Sequence, residues 1–75
     1  MIKLRMLTAR EVERVLLILG FQKMRQKGSH VFYRHEDGRT TTVPFHAGRT
    51  IARPLLRSIL RDIQISVQEF EELFS

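Results

Sequence analysis

The stretch His30-Val31-Phe32-Tyr33-Arg34-His35-Glu36-Asp37-Gly38-Arg39-Thr40-Thr41-Thr42-Val43 decides the fold. β-Branched and aromatic residues fill positions 30–35, an Asp-Gly turn interrupts them at 36–39, and residues 40–43 resume the run, the pattern of an antiparallel hairpin. Upstream, residues 21–27 (FQKMRQK) mix apolar and cationic side chains without a helical period and read as a further strand with a solvated basic side. Gly28-Ser29 breaks the chain between them, so three antiparallel strands are expected. Phe32 and Tyr33 point to opposite sides of their strand. One is expected to pack in the core and the other to be free to stack on a base, and Phe32 is assigned to the core.

Helices flank this sheet in the sequence. Thr8-Ala9-Arg10-Glu11 has the S/T-x-x-E form of a capping box, Val12, Val15, Leu16 and Leu19 follow on one stripe, and Gly20 supplies a left-handed stop. Pro44 ends or edges the third strand, and residues 47–50 form an exit loop. Pro54 suits the first turn of a second helix, whose apolar stripe is Leu55, Leu56, Ile59, Leu60 and Ile63. Arg53, Arg57 and Arg61 form a row on another side of it. Ser66-Val67-Gln68-Glu69 repeats the capping box and opens a short last helix that buries Val67, Phe70, Leu73 and Phe74. The order is αβββα plus a small helix, an α+β arrangement of one three-stranded antiparallel sheet with two helices on one face.

A chain of 75 residues is short for two separate cores, so residues 1–75 are read as one domain. Chemistry is expected on an open face rather than in a deep cavity. The net charge is +5, and residues 1–65 hold all thirteen Lys and Arg against five acidic side chains, which favours nucleic acid, an anionic membrane surface or an acidic protein as partner. Absence of cysteine removes disulfides, thiolate metal sites and thiol nucleophiles, and fits a reducing cytoplasm. No stretch approaches the roughly 20 apolar residues of a membrane span, and the charged start does not form a signal h-region.

Three histidines carry the candidate chemistry, since imidazole alone has an unperturbed pKa, about 6.5, near neutrality. His30 is the candidate general acid or base; the alternative is a surface strand histidine. His46, in the loop after Pro44, is either a second titrating partner or a neutral histidine bonded to backbone. His35, beside Glu36 and Asp37, reads as a solvated strand end. Gly28 is expected at positive φ, so that the chain bends and presents His30. Ser29 either donates to a phosphate or caps the bend. Arg25, Lys27, Arg34 and Arg49 are candidate phosphate ligands, with an ordinary solvated face as the alternative. No H-x₃-H or H-E-x-x-H spacing occurs, so no metal ligand set and no cofactor is expected.

Four blocks together resemble the HicA family of toxins. They are the capped first helix ending in Leu19-Gly20-Phe21, Gly28-Ser29-His30 followed by Phe32, Val43-Pro44-Phe45-His46-Ala47-Gly48, and Leu56-Arg57-Ser58-Ile59-Leu60-Arg61-Asp62 followed by Phe70. The resemblance runs over roughly residues 8–72. It implies a fold like that of double-stranded-RNA-binding domains, endoribonuclease action on mRNA, and neutralisation by a HicB-type antitoxin. It also implies that His30, in the Gly-Ser-His block, is catalytic. Two rival readings are a double-stranded-RNA-binding module without chemistry and a protein whose basic face only docks an acidic partner.

Overall fold

A computed structural model describes residues 5–46 and 48–73. The order is β1 (Leu7–Thr8), α1 (Ala9–Ile18), β2 (Gln22–Lys27), β3 (His30–Arg34), β4 (Thr40–Pro44), β5 (Thr50–Ile51), α2 (Arg53–Ile63) and α3 (Val67–Glu72). Both anticipated capping boxes form. The Thr8 hydroxyl accepts from the Glu11 amide at 3.2 Å while the Glu11 carboxylate accepts from the Thr8 amide at 2.9 Å. Ser66 and Glu69 repeat the exchange at 3.1 and 3.0 Å, and the amide and hydroxyl of Ser66 hold the Glu69 carboxyl below its ordinary range. At the other end of α1, Gly20 takes φ +97°, and the Gly20 and Phe21 amides donate back to the Leu17 and Leu16 carbonyls in a Schellman turn.

Strands β2, β3 and β4 form one antiparallel sheet in that order. Gly28-Ser29 is a two-residue loop with φ +58° at Gly28, the geometry of a II′ hairpin turn. Register places Val31 and Tyr33 opposite Val43 and Thr41, and these four are the buried face of the sheet. Against them pack Val12, Val15 and Leu16 of α1 and Leu56, Ile59, Leu60 and Ile63 of α2, with Phe21 and Phe70 buried in the same cluster. Both long helices therefore lie on one side, and the other face of the sheet is bare. Among the described residues, no helix is long and apolar enough to cross a membrane.

Several expectations are corrected. Tyr33, not Phe32, is the core aromatic: Tyr33 is fully buried, whereas Phe32 is half-buried on the bare face. Strand register outranks the greater hydrophobicity of Phe, and the Tyr33 hydroxyl is satisfied by donating to the Glu13 carboxylate of α1. Burial first, then Glu13, push the phenol pKa far up. Leu55 is exposed, because the core-facing stripe of α2 begins at Leu56. Thr50 is not in a loop; it pairs with Thr8 while Ile51 pairs with Leu7, a two-rung ribbon that buries both apolar side chains. Phe74 lies outside the described residues.

The lost alternation in residues 21–27 has a physical cause. The ladder pairs Lys23 with Tyr33 but Arg25 with Phe32, leaving Met24 as a bulge. Phe21, Arg25 and Lys27 are all odd-numbered and in an unbroken strand would share a face. The extra residue lets Phe21 enter the core while Arg25 and Lys27 turn to the bare face.

Candidate nucleic-acid interface

The bare face is built by the side-chain alternation of three strands. On β3 it carries His30, Phe32 and Arg34, and their register partners on β2 are Lys27, Arg25 and Gln22. On β4 the same face carries Thr40, Thr42 and Pro44. His30 stands at the corner where the II′ turn returns the chain, exposed, directly between Lys27 and Pro44. Among the described residues its imidazole makes no hydrogen bond or ion pair, so both ring nitrogens are available to a ligand. The Arg25 guanidinium sits 5.1 Å from the centroid of the Phe32 ring, a cation–π contact that fixes a flat, positive platform beside His30.

Gly28 has the positive φ that the turn requires, with open space where a Cβ would project. Ser29 is half-buried in the same turn, and its carbonyl accepts the Phe45 amide at 2.6 Å. That bond ties the loop after β4 to the His30 corner. His46 and Arg49 occupy this loop and are exposed. With Phe45 and Gly48, and with Thr8, Ala9 and Arg10 where α1 begins, they line a cleft of about 510 Å³.

The predicted site residues thus divide. Arg25, Lys27 and His30 share one corner of the bare face; His46 and Arg49 lie around the edge of that corner, in the cleft. Arg34 shares the face but sits at the far end of β3, about 13 Å along the strand from His30. Arg10 was not anticipated, because a capping box already accounts for its neighbours Thr8 and Glu11. A signal was present nonetheless: a cation in the first turn of a helix opposes the helix dipole. Among the described residues, no three His, Asp or Glu side chains converge as a metal-ligand set.

His35 is not a solvated strand end. Its ring meets Phe21 edge-on at 5.1 Å, and Nδ1 accepts the Asp37 amide at 3.1 Å. The amide of Arg39, followed by its guanidinium, holds the Asp37 carboxyl below its usual range. The same guanidinium lies 5.1 Å from the Phe21 centroid and donates to the Ile63 carbonyl at the end of α2. This turn is a structural knot, remote from His30.

The architecture is that of the double-stranded-RNA-binding-domain-like α+β proteins, with its sheet face left bare and basic. The family model described as HicA toxin of bacterial toxin-antitoxin matches residues 9–65, from the first residue of α1 to the turn that follows α2, and the chain belongs to the HicA toxin family. It is thereby a toxin of the toxin–antitoxin kind, for which the implied protein partner is an antitoxin. No curated protein matches the chain.

Proposed function

We propose that this protein is a metal-independent endoribonuclease that cleaves mRNA in the cytoplasm, with His30 as general acid or base, and that a HicB-type antitoxin neutralises it. The observation that carries the reading is the exposed, unengaged imidazole of His30 set across the strand pair from Lys27, on a face that also holds Arg25 and Arg34. The family membership supports the same reading.

In the proposed reaction the RNA backbone lies along the bare face. Lys27 neutralises the scissile phosphate, and the Arg25–Phe32 platform supports the strand beside it. His30 moves one proton, either from the 2′-hydroxyl as it attacks phosphorus or to the 5′-oxygen as the P–O5′ bond breaks. The products are a 2′,3′-cyclic phosphate and a 5′-hydroxyl. His46 is the candidate for the complementary proton, because the Phe45–Ser29 bond holds its loop against the His30 corner. Ser29 donates to a phosphate oxygen from the turn, and Gly28 gives that turn its shape. Arg49 holds the strand beyond the corner. The antitoxin would cover this face with acidic side chains.

Incubating the purified chain with mRNA in EDTA tests the proposal. Fragments ending in cyclic phosphate are expected; RNA that stays intact overturns it.

A further inference from the structure

Arg10, at the start of α1, and Arg49, in the loop after β4, line the same cleft, and neither makes an ion pair among the described residues. The only carboxylate of the capping box, Glu11, is engaged by the Thr8 amide and hydroxyl. Arg10 stands in the first turn of α1, where a cation works against the dipole, so its charge does not serve the helix. Phe45 is half-buried, packs against the core and lines the cleft beside the ring of His46. Bonds around the cleft are few and local: Thr8 pairs with Thr50, the Phe45 amide donates to the Ser29 carbonyl at 2.6 Å, and the Arg49 amide donates to the His46 carbonyl at 3.1 Å.

We infer that this cleft binds one unpaired nucleotide of the RNA next to the bond cut at His30, with its phosphate between Arg10 and Arg49 and its base against Phe45. The inference rests on the endoribonuclease reading and adds a substrate class to it, single-stranded rather than duplex RNA. His30 pairs with Pro44, and His46 follows two residues later, so the cleft begins within about 7 Å of chain from the catalytic corner, on the order of one nucleotide step. Its volume of about 510 Å³ falls in the range of small-ligand sites. A base locked in a duplex cannot enter it, whereas a splayed base of a single strand can stack on an aromatic ring while guanidinium groups take the phosphate.

The test uses the full chain carrying His30→Ala, so that RNA is bound and not cut, with a fluorescein-labelled single-stranded RNA oligonucleotide and the same strand annealed to its complement. Anisotropy should show tighter binding of the single strand. Adding Arg10→Ala and Arg49→Ala should weaken it and flatten the slope of log K against log salt by about 0.7, the value for one phosphate no longer neutralised on a single strand. Arg10→Lys with Arg49→Lys should restore the slope, which separates charge from folding. Equal affinity for duplex and single strand, or a parental slope in the double alanine variant, overturns the inference. Cleavage is scored separately with His30 present. If the arginine pair can be removed without slowing cleavage, the cleft fails and the nuclease stands; if RNA binds through the pair but is never cut, the nuclease reading fails and the nucleotide cleft stands.

Discussion

His30 opens β3 and His35 is the first residue beyond its other end, and the two live in different surroundings. His30 is exposed, touches no partner among the described residues, and faces Lys27. The side chain of His35 is 18% exposed, its ring is wedged on Phe21, and its Nδ1 already accepts the Asp37 amide. The difference teaches that imidazole chemistry here is decided by what else claims the ring. A nitrogen committed to a turn holds structure together; a nitrogen committed to nothing can exchange protons with a substrate.

The largest effect should come from substituting the two histidines in parallel. His30→Ala should cut RNA cleavage by about 10²–10⁴-fold, the usual worth of a general acid or base, with stability shifted by no more than about 0.5 kcal/mol. His35→Ala should leave cleavage in place and lower stability by about 1–2 kcal/mol through the lost ring contact and turn hydrogen bond. Single-turnover cleavage and urea unfolding of both variants measure this; a His35→Ala chain that stays fully stable yet stops cutting breaks the contrast.

A second measurement probes the covered side of the same strand. Tyr33 is the only tyrosine, and its phenol is pushed up by burial and by Glu13. A raised acid pKa stabilises the fold fully below the unfolded value near 10, and that contribution is lost as pH rises above it, by about 1.4 kcal/mol per pH unit until the folded phenol itself ionises. Phenolate absorbance should therefore appear only together with unfolding. Smooth ionisation in the folded protein, near pH 10, would show that Tyr33 is not sealed.

The smallest effect distinguishes two glycines. Both Gly28 and Gly20 have positive φ, but a Cβ at Gly28 meets open space while one at Gly20 comes within 3.1 Å of His35 Nε2. Gly28→Ala should cost about 1–3 kcal/mol from backbone strain alone. Gly20→Ala should cost more, and the excess should shrink in a His35→Ala background, as a double-mutant cycle in urea would show. An unchanged excess would mean that His35 does not rest there.

Legibility in the sequence followed the range of the interaction. Capping boxes at Thr8 and Ser66 and the Gly28-Ser29 turn depend on a few neighbouring residues, so their signals were complete locally. The β1–β5 ribbon joins Leu7 to Ile51 across the chain with two rungs, too few to leave a period. Tyr33 and Phe32 exchanged places because the face of β3 is set by its neighbours in the sheet, and hydrophobicity alone cannot supply that parity. His30 and its cations could be nominated from residue type and spacing. The docking of His35 on Phe21, and the placing of Arg10 and Arg49 on one cleft, needed the third dimension.

The bulge at Met24 makes the charge pattern of this protein a matter of counting. Between an oily anchor at one end of β2 and a glycine hinge at the other, the strand can satisfy both only with an odd residue in hand. Deleting that residue would change no charge and no core side chain, yet it would set greasy and ionic positions competing for the same side of the sheet. A property as chemical as affinity for a polyanion is thus stored partly in the length of a segment.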